Sequence, residues 1–167
     1  EMIGSLDVAI HNTGIIHPRH VEPASYDIQE FDGIVRQNLT TPFALVQKLL
    51  PLLLKTENPS IVISSPEVET DQIEDENAYY VSKFGFRSSG MLTKLLANEL
   101  GKRNVRVNCV NPGRIIPGQA LEINPTLEGD RTSAYVWLSR SDTVMNGEQL
   151  DICDWVRRDP IMYKSFS

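Results

Sequence analysis

The sequence predicts an α/β protein: a three-layer sandwich in which about four parallel strands are covered on both faces by helices. Two observations carry this expectation. Short apolar runs alternate with long helical stretches, the pattern of βαβ units. The run "PSIVISS" is continuous and β-branched, as a parallel strand buried on both faces should be. A third observation locates the working edge. Three of the runs end in polar or small residues (Asn12 with Gly14, Ser64 with Ser65, and Asn111 with Pro112 and Gly113). Ligands of open parallel sheets bind at the C-terminal ends of the strands.

The first strand is expected over Leu6–Asn12, "LDVAIHN", followed by a loop rich in proline and histidine. Tyr26 to Lys55 should be mostly helical. Phe43, Val46, Leu50 and Leu53 mark one apolar stripe, and Leu45, Leu49 and Leu52 mark a second. A helix apolar on two sides is buried on two sides; one side could cover a sheet and the other a second subunit. Pro59–Ser65 forms the second strand. Ala78–Gly101 is expected as a second long helix, with Phe84, Met91, Leu92, Leu95 and Leu96 on its apolar side and Gly101 as its C-cap. Val105–Val110 is the third strand. A loop rich in Pro and Gly leads to a short helix over Thr132–Arg140 that Asp130 could cap, and "EQLDIC" closes as the fourth strand. Neither an internal repeat nor a linker divides the chain, so residues 1–167 are expected to form one domain.

Composition narrows the function. With 167 residues, 41% hydrophobic and 23% charged, the chain has the make-up of a soluble globular domain. A net charge of −6 argues against nucleic-acid binding, which normally needs a basic face. Cys109 and Cys153 form no CxxC and read as two reduced thiols of a cytoplasmic protein. The longest apolar run, Leu49–Leu54, is too short to span a bilayer, and no signal peptide opens the sequence. The first residue is Glu1 and an apolar strand follows almost at once, as in a chain entered in its middle. Six acidic residues between Glu67 and Glu76, without a basic one, read as a solvated loop before a helix or as a rim that repels anions. His17 and His20 have no third ligand at metal spacing, so no metal site is expected.

The chemistry centres on "ENAYYVSKFG". Tyr79 opens the helix after the second strand, and Lys83 lies one turn further along the same face. A phenol with a reference pKa of about 10 is a poor base at neutral pH. A cation within a few ångströms favours the phenolate. Ser65, at the neighbouring strand end, could hold a substrate carbonyl oxygen while Tyr79 exchanges the proton. Tyr80 points about 100° away round the helix and reads as packing. Pro42 cannot donate to the Asn38 carbonyl four residues earlier, and its ring pushes against it. That carbonyl is left for another partner.

A YxxxK pair alone is weak evidence. Together with "HNTG", "ISS" and "NPG" in this order, it resembles the short-chain dehydrogenase/reductase family over Leu6–Asp154, the C-terminal two-thirds of a family member. "LDVAIHNTG" is similar to the family's "NNAG" strand end, with His11 and Thr13 as departures. "RQNLTTPFALVQKLLPLLLK" is similar to its interface helix, and "RVNCVNPGRI" to the strand and loop over the nicotinamide. Several runs look closest to a proteobacterial branch of uncharacterised reductases.

The resemblance implies a Rossmann-type fold and an NAD- or NADP-dependent oxidoreductase acting on a small carbonyl or alcohol substrate. It implies a catalytic tetrad of Asn38, Ser65, Tyr79 and Lys83, with the Asn38 carbonyl holding a water that contacts the lysine. It implies cofactor contacts from Asn12, Gly14, Tyr79, Lys83, Pro112, Gly113 and Ile115. Pro117 stands where a threonine hydroxyl often touches the cofactor phosphates. A homodimer or tetramer through helices 26–55 and 78–101, as four helices about a twofold axis, is also implied. The family's glycine-rich first half, which holds the pyrophosphate and selects NAD or NADP, has no counterpart in this sequence. The opposing expectation is a non-catalytic scaffold that kept the interface helices. The substrate is not legible in the Arg114–Gly129 loop.

Overall fold

The computed structural model describes residues 4–15, 22–65, 77–86, 91–113, 132–152 and 154–155. Its sheet contains β1 (Val8–His11), β2 (Ser60–Ser64), β3 (Arg106–Asn111) and β4 (Gln149–Asp151), in that spatial order and all parallel. The register runs Ile10↔Val62, Val62↔Asn108 and Val110↔Leu150, which aligns the C-terminal strand ends along one edge. The expected three-layer α/β architecture is therefore present.

Alternation along the strands sorts the two apolar cores. Ile61, Ile63, Val105 and Val107 face one side and pack with Val46, Leu53, Phe86, Leu96 and Leu100. Val62 and Val110 face the other and pack with Ala134, Leu138 and Ile152. Successive strand residues point to opposite faces, so a strand buried in both layers has no polar face to spare.

The first helical region consists of α1 (Ile28–Val35), a π turn (Arg36–Thr40) and α2 (Thr41–Leu53). Asp27 caps α1 by accepting from the Gln29 N–H at 2.9 Å. The π turn lies immediately before Pro42, and its wider spacing appears in the Thr41 N–H donating to the Arg36 carbonyl. Proline breaks the regular i→i−4 bonding here, and a π bulge absorbs the interruption.

The long helix expected over residues 78–101 is instead two helices, α3 (Asn77–Phe84) and α4 (Leu92–Gly101). The first of them stops at Gly85, a poor helix former. Phe86 turns inward to full burial, its N–H bonded to the Lys83 carbonyl at 3.2 Å. Met91 takes φ 64°, which ends any continuous helical path. Phe84 and Met91, expected on the apolar side, are 48% and 63% exposed. Gly101 is the last helical residue, and the left-handed position beyond it belongs to Asn104 at φ 61°. The short helix α5 spans Ser133–Ser139 on the opposite face of the sheet. Among the described residues, no helix is long and apolar enough to cross a membrane.

Candidate active site

The C-terminal edge of the sheet gathers most of the expected site residues. Lys83, on α3, is only 4% exposed and donates from Nζ to the Thr13 carbonyl at 3.0 Å. It can reach that carbonyl because residue 14 is glycine. A Cβ at position 14 would lie 2.6 Å from Lys83 Nζ and 3.2 Å from Asn38 Oδ1. Burial holds the Lys83 pKa below the ordinary lysine value, with the nearby Cys109 thiol acting weakly the other way. Strand alternation accounts for that thiol: Cys109 shares the β3 face of Val105 and Val107.

Asn38, in the π turn, is 1% exposed and makes its bonds to the neighbouring loop through its side chain. Oδ1 accepts from the Ile15 N–H at 2.8 Å, and Nδ2 donates to the Ile15 carbonyl at 2.8 Å. This double bond satisfies one residue of loop backbone much as a neighbouring strand would. Nδ2 also donates to Ser82 Oγ at 3.1 Å, and Ser82 donates to the Tyr79 carbonyl at 2.6 Å. Asn38, Ser82, Lys83 and the Thr13–Ile15 backbone thus form one connected assembly.

Tyr79 is half-buried in the first turn of α3, its ring edge-to-face with Tyr80 at a centroid distance of 5.5 Å. Ser65 is fully buried, and its hydroxyl donates to the Lys83 carbonyl at 2.6 Å. Its proton is therefore directed at α3 rather than toward the open edge. Asn12, at the mouth of the same edge, is exposed, and its Oδ1 accepts from Ser64 Oγ at 2.5 Å. Pro112 is buried, and Gly113 takes φ 79° with its N–H bonded to Asn111 Oδ1 at 3.0 Å. That turn needs a residue tolerant of the left-handed region, which glycine supplies. Ile115, Pro117 and the acidic stretch lie outside the described residues, as do Cys153, Asp130, His17 and His20.

Three participants are not evident from sequence. Ser82 sits inside the YxxxK motif, and an i→i−3 hydroxyl bond is the only hint it offers. Tyr135, on α5, reaches Ser64 Oγ at 2.7 Å. Burial raises its pKa, and the Ser64 hydrogen bond opposes that rise. His11, half-buried beside Thr13 Oγ1 at 3.4 Å, has its pKa lowered by burial and then by the Lys83 charge.

A parallel sheet with helices on both faces and polar strand ends along its C-terminal edge defines a Rossmann-type α/β domain, a class whose ligands bind at that edge. Comparison with known proteins identifies it further. The family model described as enoyl-(acyl carrier protein) reductase matches residues 1–143. The uncharacterized oxidoreductase YciK of Escherichia coli (strain K12) is 34% identical over 146 residues, covering 83% of this chain and 56% of that protein. The 3-oxoacyl-[acyl-carrier-protein] reductase FabG of Thermotoga maritima is 34% identical over 112 residues, covering 67% and 44%. A short chain dehydrogenase structure from Pseudomonas syringae superposes with TM-score 0.73 at 33% identity, covering 89% of this chain and 62% of its own. Another, from Escherichia coli CFT073 and complexed with NADPH, gives TM-score 0.69 at 28% identity, covering 89% and 63%. The chain belongs to the short-chain dehydrogenase/reductase family, a class of NAD(P)-linked oxidoreductases. It spans about half the length of the curated relatives it matches.

Proposed function

We propose that this chain is the catalytic part of a cytoplasmic NAD(P)(H)-dependent oxidoreductase acting on a small carbonyl or secondary alcohol. One observation carries the reading: Lys83 is buried against Gly14 and bonded to Thr13, one turn from Tyr79 on α3. A buried ammonium costs solvation free energy, and a fold that retains one at a ligand edge is using its charge or its donors. The described residues fit the nicotinamide end of the cofactor. A Cβ at position 14 would displace the Lys83 ammonium, the backbone of Thr13 and Ile15 is bonded to Lys83 and Asn38, and a cation lies beneath the loop. The relative solved with NADPH supports the same ligand class.

When bound, the nicotinamide supplies or accepts the hydride. Tyr79 gives a proton to the substrate oxygen during reduction and takes it back during oxidation. Lys83 favours the phenolate form of Tyr79, and its bond to Thr13 fixes where its charge lies. Asn38 keeps the Thr13–Ile15 backbone at the height the lysine needs, and its carbonyl, denied a donor by Pro42, is left for a relay water. Ser65 would orient the substrate oxygen once its hydroxyl turns from the Lys83 carbonyl. Asn12, Gly14, Pro112, Gly113 and Ile115 would line the cofactor face.

The test uses the complete polypeptide that carries this sequence. NADH or NADPH should bind, read by nicotinamide fluorescence. Tyr79→Phe should lower turnover by at least ~10²-fold while leaving cofactor affinity nearly intact, since only the proton transfer is removed. Failure to bind either nucleotide would leave the scaffold reading in its place. Unchanged turnover in Tyr79→Phe would remove the tyrosine from the mechanism.

A further inference from the structure

We infer that Tyr135 is a positioning residue for the cofactor edge: through Ser64 it holds Asn12, and hence the Asn12–Ile15 backbone, from the face of the sheet opposite Lys83 and Asn38. The inference rests on the reading that this edge receives the nicotinamide.

Proton accounting fixes the direction of the chain of bonds. Ser64 has one hydroxyl proton, and it goes to Asn12 Oδ1 at 2.5 Å. Tyr135, whose oxygen lies 2.7 Å from Ser64 Oγ, must then be the donor to that oxygen. A longer contact of 3.3 Å takes the same phenol proton toward Asn12 Oδ1 directly. Ser64 is itself buried, so this relay is sheltered from water at its centre.

Tyr135 can position other groups because its own helix is tied at both ends. Ala134 and Leu138 are fully buried against the sheet. Arg106, at the start of β3, donates from Nη1 to the Leu138 carbonyl at 2.9 Å and from Nη2 to the Arg140 carbonyl at 2.7 Å. Ser60 Oγ donates to the same Leu138 carbonyl at 2.8 Å. At the other end, Trp155 Nε1 donates to Ser133 Oγ at 2.9 Å. Helix α5 is anchored at the N-terminal ends of the strands and presents its phenol at their C-terminal ends. The loop after β1 is consequently held from both layers, by Tyr135 and Ser64 on one side and by Lys83 and Asn38 on the other.

Tyr135→Phe keeps the ring and removes only the hydroxyl. Hydrogen exchange of the Asn12–Ile15 segment, measured by mass spectrometry without cofactor, should quicken about fivefold, the weight of one ordinary hydrogen bond. In turnover, KM for the nicotinamide nucleotide should rise by a similar factor, with kcat and its pH profile little changed. A loss of folded protein alone would lower kcat and leave KM as it was. Ser64→Ala, which leaves the Tyr135 ring in place, should reproduce both effects, and adding Tyr135→Phe to it should add much less than its effect alone, only the long 3.3 Å contact to Asn12 remaining to be lost. Unchanged exchange in Tyr135→Phe, additive effects of the two substitutions, or a displaced pH profile would each overturn the inference. If the complete polypeptide binds no nicotinamide, the enzymatic reading fails by itself, and the exchange measurements still decide the role of Tyr135.

Discussion

Gly14→Ala isolates the close approach on which the position of the lysine depends. The backbone at Gly14 lies outside the left-handed region, so alanine meets no conformational strain there. It meets side chains instead, at 2.6 Å for Lys83 Nζ, 2.7 Å for Lys83 Cε and 3.2 Å for Asn38 Oδ1. Ordinary non-bonded contact is about 3.5 Å, so the overlap with the lysine is close to a full ångström. Two relaxations are available. Lys83 can swing off and forfeit its bond to Thr13, a charged hydrogen bond worth about 1.5–3 kcal/mol. Alternatively the loop can lift and lose both Asn38–Ile15 bonds, about 1 kcal/mol each. The routes converge on a destabilisation of about 2 kcal/mol, which lowers the urea midpoint by about 1 M for an m-value near 2 kcal/mol/M. On the proposed mechanism, which sets this cation beside the Tyr79 phenol, displacing the ammonium should also reduce kcat at neutral pH at least ~10-fold and change the alkaline limb of its profile. Urea unfolding and a kcat–pH profile of the complete enzyme measure both effects. An unchanged midpoint together with an unchanged profile would refute the claim that this contact sets the lysine.

Two further outcomes follow from named groups. Burial depresses the Lys83 pKa in the folded state below its ordinary value of 10.5. The unfolded chain therefore binds more protons in the window beneath 10.5, and stability rises with pH across that window. Below it the solvation cost is fully present, so the Lys83→Met curve should lack that rise, while turnover falls by at least ~10²-fold. A wild-type stability curve that runs parallel to the Lys83→Met curve up to pH 10.5 would contradict the assignment. The homodimer or tetramer that the family resemblance implies through the helices within residues 26–55 and 78–101 would cover Leu45, Val81, Phe84 and Leu95, which are exposed. Light scattering should give twice or four times the monomer mass, and a monomer at micromolar concentration would count against it.

Much of the fold was legible because strands buried on both faces announce themselves. "SIVIS" has no polar alternation, and its neighbours share its register. The break between α3 and α4 was harder to see. Phe84, Leu92, Leu95 and Leu96 keep a helical period across it, and burial of Phe86 overrides that period. Periodicity records which residues are apolar, not which of them the core has room for. At the site, Lys83 and Gly14 were found through motif order, but their contact was not, since proximity between residues 69 positions apart leaves no local trace. Asn38 was singled out for its carbonyl, and its side-chain clamp on Ile15 emerges only when the loop is in place. Tyr135 opens the run "YVWL", part of the resemblance to a branch of reductases, but that run pointed to no chemistry; its phenol reaches Ser64 because α5 lies along the sheet.

Ser64 and Ser65 are joined by one peptide bond and belong to opposite layers of the protein. The first hydroxyl answers to Asn12 and Tyr135, the second to the carbonyl of Lys83. A one-residue slip of β2 would exchange them and disconnect both layers at once, so this dipeptide fixes the phase of the whole strand. It also means that changes on α5, a helix on the far face from Tyr79, arrive within one residue of the Ser65 bond to the Lys83 carbonyl on α3. A substitution on that distant surface therefore has a short physical route to the helix of Tyr79 and Lys83, with both residues left unaltered.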